Sequence, residues 1–206
     1  MDEGYIKFKL NWKQTPPLPE ARVRDIQQLR DELFRWGLIG ALNDGIGFGN
    51  ISKRHQHDEF IISGTQTGHV PVTDASHFTV VTRFDINTNT IFCEGPTKAS
   101  SESLTHAAFY SFDKNINAVI HIHDSKLWQE KLNNLPTTSP AVPYGTPEMA
   151  FEIHRVLRVG DIQNSRTIIM GGHQDGIICF GKNLSEALQD LQTYFPEIKT
   201  FHPSHL

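Results

Sequence analysis

The sequence predicts a mixed α/β fold in which a largely antiparallel sheet is flanked by helices. Apolar, strand-like runs alternate with stretches of helical spacing along the 206 residues. Several runs are joined by tight turns, a connection open to antiparallel neighbours but not to parallel ones. No internal repeat and no low-complexity segment interrupts the pattern.

The elements follow in chain order. Met1 to Leu10 alternates charged and apolar residues, and Thr15-Pro16-Pro17 with Pro19 makes 14–20 irregular. Residues 1–20 therefore read as an N-terminal arm and 21–206 as a single domain. From Glu20 to Leu38, Ile26, Leu29, Leu33 and Trp36 or Leu38 fall on one helical stripe. The glycine-rich stretch Asn43 to Asn50 is a turn leading into a strand near Ile51, and Glu59 to Ser63 is a second strand. Phe78–Thr82 and Thr90–Cys93 bracket a turn, which predicts a hairpin. Ser100 or Ser101 opens a helix to about Phe112, with Ser101 as N-cap and Glu102 in the first turn, where the helix dipole favours negative charge. Asn117–His123 reads as a buried strand. Thr146 caps a helix running to about Val159, with Pro147 at its first position. Thr167–Met170 and Gly176–Phe180 are strands, and the last helix starts at Asn183 and is stopped by Pro196.

Bulk properties exclude several function classes. A net charge of −4 leaves no basic footprint for nucleic acid. An anionic substrate would need local donors rather than a global field. No apolar run approaches membrane-spanning length, and Met1–Leu10 is not a signal peptide, so a cytoplasmic protein is expected. Cys93 and Cys179 sit in apolar surroundings and read as reduced core residues rather than a disulfide.

The chemistry concentrates around His121-Ile122-His123. Two histidines spaced i, i+2 on a strand share one face, and burying both imidazoles without partners would be costly. A shared divalent metal resolves that cost. His173, after Thr167–Met170, is a further nitrogen ligand or an exposed turn histidine; spacing does not decide. Glu102, taken alone, reads first as a first-turn helix charge. Together, three imidazoles and a carboxylate would suit zinc or another divalent transition metal. His106, four residues after Glu102 on the same helix face, reads as a support for that carboxylate. His55, His57 and His69 read as solvated loop residues, and His202 and His205 as tail residues. Asp124 reads as a solvated charge at a strand end. Gly49-Asn50-Ile51-Ser52, Thr65 to Gly68 and Ser100-Ser101 each offer backbone and hydroxyl donors that could grip a phosphate or carboxylate, although each alone is an ordinary turn.

Taken in order, Gly49 to Ser52, Ile62 to Gly68, Glu94-Gly95, Ser100 to Glu102, Asn117 to His123, Tyr144 to Glu148, His173 through Ile178 and Gly181 to Leu188 resemble the class II aldolase/adducin family. The resemblance spans about 26–191. It implies a three-layer α/β/α fold around a mixed sheet. It implies a zinc ion on His121, His123 and His173, with Glu102 binding the resting metal and acting as the acid/base. It places the phosphate pocket at Gly49, Asn50, Thr67, Gly68, Ser100 and Ser101. It also implies a homotetramer with active sites at subunit interfaces.

The reaction so implied is metal-assisted cleavage or formation of a carbon–carbon bond in a small ketose phosphate, through an enediolate. An epimerase or dehydratase of sugar phosphates would use the same metal site. A non-enzymatic interaction module, as in adducin, is a third reading, and the four ligand-type residues weigh against it. Family aldolases commonly read His-Gly at the last ligand, whereas His173-Gln174-Asp175-Gly176 stands here. The aldehyde-side acid has no counterpart: Tyr194 reads as a packing residue, and Lys126 is the remaining nearby alternative to Asp124.

Overall fold

A computed structural model describes residues 5–160, 165–196 and 198. Its centre is an eight-stranded sheet in the order β1-β7-β6-β5-β4-β8-β10-β9. The strands are β1 (Lys9–Gln14), β4 (Asn50–Arg54), β5 (Phe60–Ser63), β6 (Phe78–Asp85), β7 (Thr90–Gly95), β8 (Ala118–His123), β9 (Thr167–Ile169) and β10 (Gly176–Gly181). Two short strands, β2 (Gly40–Ala41) and β3 (Gly47–Phe48), pair apart from it. Among the described strands of the large sheet, β1 alone pairs with its neighbour, β7, in parallel. The remaining pairs of the large sheet are antiparallel, as the short turns require.

Helices cover both faces. On one, α2 (Ser103–Phe112) and α4 (Pro147–Val159) pack Leu104, Phe109, Met149 and Ile153 against Phe60, Ile62, Val119 and Ile178. On the other, α1 (Glu20–Arg35), α3 (Ser125–Lys131) and α5 (Leu184–Gln192) pack Ile26, Leu29, Leu127 and Leu188 against Ile51, Ile61, Ile120 and Ile177. Each such side chain taken wholly from water contributes roughly 1.5–3 kcal/mol. The expected three layers are therefore present.

The structure corrects several expectations. The arm expected over residues 1–20 contains an edge strand: β1 is held to β7 by six register pairs from Lys9 to Gln14, and the charge–apolar alternation of that segment is its two-residue period. Helix α1 ends at Arg35 rather than Leu38, because Gly37 takes a φ of 74° and Leu38 N–H turns back to Leu33 O at 2.9 Å. Glu102, not Ser101, stands at the N-cap of α2, and Ser100 Oγ accepts from Glu102 N–H at 3.3 Å. Asp124 is a cap rather than a solvated charge: its carboxylate takes Leu127 N–H at 2.7 Å and opens α3, a helix too short to announce itself by periodicity. Cys93 and Cys179 are both buried and unpaired, and burial pushes the Cys179 thiol up to about 12. His202 and His205 lie outside the described residues.

Candidate metal centre

Alternation along β8 sends Ala118, Ile120 and Ile122 into the layer of α1 and α5, and Val119 into the layer of α2 and α4. His121 and His123 share the parity of Val119, so both rings enter the α2/α4 side at the end of the strand. Neighbouring strands fix that end: His121 stands opposite Asn50 on β4 and Ile178 on β10. His173 reaches the same point from the turn between β9 and β10, where its N–H bonds Met170 O at 3.1 Å and its carbonyl accepts from Gly176 N–H at 3.0 Å. The two additional residues, Gln174 and Asp175, complete this turn; Gln174 is exposed and Asp175 has a φ of 65°.

The three imidazoles converge. One ring nitrogen from each of His121, His123 and His173 lies within 4.8 Å of the others. Glu102, 2% exposed at the head of α2, places one oxygen against His121 Nδ1 and the other 3.1 Å from His173 Nδ1. Asn50 Nδ2 lies 3.4 Å from the Glu102 carboxylate and 3.3 Å from His121 Nδ1, so β4 steadies both groups.

Electrostatics favour a ligand set. Burial alone would raise the Glu102 carboxyl, but the adjoining His121 and His173 hold it well below the usual carboxylate range. Burial, together with the charges of His121 and His173, drives the His123 imidazole well below its ordinary value. A neutral ring keeps a lone pair for a cation, and an anionic carboxylate balances its charge. His121 Nε2 is buried with no hydrogen-bond partner among the described residues. Three nitrogen donors and one oxygen donor match the preferences of zinc. On these grounds the residues fit a divalent cation.

The residues expected to grip an anion share one cavity. Gly49, Asn50, Thr67, Gly68, Ser100 and Ser101 line one cavity that ends on Glu102. Gly49 has a φ of 73°, and a Cβ there would sit 2.8 Å from Ile39 Cγ1 and 3.1 Å from His121 O on β8, so a side chain would crowd the entry to β4. Hydroxyls and amides come together there without a lysine or arginine in the lining.

Other assignments change. The His106 ring does not hydrogen-bond Glu102 among the described residues; its Nδ1 lies 2.6 Å from Ser52 Oγ, which also bonds Tyr110 at 2.6 Å. Burial lowers His106 to about 3. His57 and His69 are exposed as expected, but His55 is half-buried. Lys126 is exposed, and Tyr194 bonds Ser165 at 3.4 Å against the opposite helical layer.

Three contributors had no role assigned from the sequence. Tyr144 stacks on His173 at 4.0 Å between ring centroids, with Lys7 Nζ 4.0 Å from the centroid of the Tyr144 ring. Phe48 stacks on His123 at 5.2 Å. Arg30, 1% exposed on α1, donates to Thr67 O at 2.6 Å, to Gly68 O at 3.1 Å and to Val70 O, clamping one wall of that cavity. A charged residue on the buried stripe of α1 was the one available signal for Arg30. The aromatic stacks left none.

Comparison with known proteins agrees with this architecture. The family described as Class II Aldolase and Adducin N-terminal domain matches residues 32–194. An L-fuculose 1-phosphate aldolase superposes with a TM-score of 0.65 at 20% identity, covering 87% of this chain and 84% of its own. A sugar-phosphate aldolase from Thermotoga maritima gives 0.62 at 18% identity, covering 84% of this chain and 90% of its own. YgbL from Klebsiella pneumoniae, described as an aldolase, epimerase or decarboxylase, gives 0.62 at 20% identity, covering 86% of each chain. At these identities the structural likeness concerns the fold. No curated protein matches the sequence. The family match runs from the last turn of α1 to just past α5, across the strands that carry the histidine cluster, and this chain is therefore a member of the class II aldolase and adducin N-terminal domain family.

Proposed function

We propose that this protein is a divalent-metal-dependent aldolase, a carbon–carbon lyase acting on a small ketose phosphate or related hydroxy-carbonyl compound. The supporting observation is the convergence of His121, His123 and His173 on Glu102, beside a cavity of hydroxyls and amides. The three imidazoles would hold the cation, zinc by the preference of this donor set, with Glu102 as a fourth ligand when substrate is absent. A bound cation supplies Lewis acidity that polarises a hydroxy-carbonyl group and disperses the charge of an enediolate.

The chain's own groups do the rest. Ser100, Ser101 and Thr67 hydroxyls, the Asn50 amide and the backbone at Gly49 and Gly68 orient an anionic group. Cleavage of the bond between C3 and C4 leaves an electron pair on C3. The C4 hydroxyl gives up its proton as its carbon becomes the aldehyde; Glu102, anionic and buried, would take up that proton, deliver it to C3, and remove it from C3 in the condensation direction. Asn50 keeps that carboxylate oriented. On the same reading the protein works as a homotetramer in the cytoplasm, in keeping with two unpaired thiols.

Elemental analysis of untagged protein beside a His121→Ala/His123→Ala double variant tests the metal, with about one zinc per chain expected and lost in the variant. Retro-aldol assays on sugar phosphates test the reaction. Epimerisation without cleavage would replace the lyase by an epimerase. A protein that takes up no divalent metal would be an adducin-like interaction module.

A further inference from the structure

A second cavity opens at the other end of the same strands. Strands β4 and β8 carry Asn50 and His121 at the metal end, and Lys53, Arg54 and Ala118 at the opposite end. There a cavity of about 350 Å³ is lined by Arg22 and Asp25 of α1, Lys53 and Arg54 of β4, His55 just after it, and Lys182 before α5. Four permanent cations face one carboxylate, on a chain whose net charge is −4. Asp25 is taken up by Lys53. The Arg54 guanidinium is committed to backbone carbonyls, among them Tyr110 O at 3.0 Å and Ile116 O at 2.9 Å, so it lends charge rather than donors. Asp58 touches it at 3.6 Å from outside the lining. Neither the Arg22 guanidinium nor the Lys182 ammonium has a partner among the described residues.

Lys53 and Arg54 are only 19% and 11% exposed at their side chains, so their charge is not fully screened by water. His55 reports that field: burial lowers it first, the Arg22 and Lys53 charges lower it further, and Glu59 opposes them. Asn183 adds an amide Nδ2, its Oδ1 being held by Glu186 N–H at 2.8 Å, whereas Asn117 is spent on Lys182 O at 3.2 Å and on Arg54 Nε. A cavity of this size admits a small molecule rather than a duplex or a folded peptide.

We propose that this cavity is a second anion site, built for a small phosphate-bearing metabolite and separate from the metal centre. It rests on neither the metal nor the aldolase reading. The test follows the His55 ring by proton NMR titration of the full-length protein. Inorganic phosphate is compared with sodium chloride at matched ionic strength. Phosphate in the cavity offsets the cationic field and raises the His55 pKa by about half a unit or more beyond the chloride effect. Arg22→Ala/Lys182→Ala, changes at two exposed positions, cancels that rise, whereas Thr67→Ala/Ser100→Ala at the other pocket leaves it intact. A phosphate effect no larger than that of chloride, or one that survives in Arg22→Ala/Lys182→Ala, overturns the proposal.

Discussion

One carboxylate organises the centre residue by residue. Glu102 faces His121 with one oxygen and His173 with the other, and Asn50 bridges to it from β4. A Glu102→Gln variant keeps the shape but loses the proposed base. On the proposed aldolase reading, its carbon–carbon lyase rate should fall by about 10²–10⁴, with the fold unchanged by circular dichroism. Tyr144 acts differently. Its ring lies flat on His173 with an interplanar angle of 19°, which limits how far that imidazole can turn. Tyr144→Phe should therefore keep metal affinity, and Tyr144→Ala should weaken it several-fold, as expected for a stack contributing about 0.5–1.5 kcal/mol. Competition with a chromophoric chelator measures both. Equal loss in the two variants would move the role from the ring to the hydroxyl.

The elements set where these residues can stand. Helix α1 carries a clamp on its buried face: Arg30 holds the carbonyls of Thr67 and Gly68, Asp31 accepts from Thr73 N–H and Oγ1, and Gln27 donates to Thr73 O. Burial lowers the Arg30 pKa, and the charge and hydrogen bond of Asp31 offset part of that. Arg30→Lys cannot reproduce the fork. It should cost about 2–4 kcal/mol in urea unfolding and, for the phosphorylated substrate proposed above, raise KM, while metal content stays at the parent level. A variant with unchanged KM would detach α1 from the anion pocket. Asp124 supplies a contrast: although it follows His123, its carboxylate is spent on Leu127 N–H as the cap of α3. Asp124→Ala should cost about 1 kcal/mol and leave metal binding intact. Long elements such as α1, α4 and the β6–β7 hairpin were legible because their apolar period repeats several times. The edge strand β1 and the short helix α3 were not, since pairing with β7 and one cap decide them.

For the whole molecule, buried titratable groups couple stability to pH. His106 lies fully inside the α2 layer and is lowered to about 3, against an ordinary value of 6.5 in the unfolded chain. Between those values the unfolded chain binds the proton and the folded one does not, so stability rises with pH. That contribution is complete above about 6.5 and is lost as pH falls toward about 3. The depressed Glu102 carboxyl acts in the same sense at the acid end, below its ordinary 4.5. Urea unfolding should show a lower midpoint at pH 4.5 than at pH 7.5, and His106→Gln should flatten the difference. Order along the chain determined much of this protein: the helix and strand periods, the β8 parity that puts His121 and His123 on one face, and the glycine and serine turns that could meet an anion. Those are local properties, fixed by which residue follows which. Tertiary structure alone decided that His173 arrives at that face and that Glu102 sits between two imidazoles. It also decided that His106 bonds Ser52, that Arg30 holds a loop some forty positions away, and that Lys53, Arg22 and Lys182 meet around one cavity. Such meetings depend on which strands lie side by side and how two helical layers pack on them, and no spacing along the chain encodes that distance.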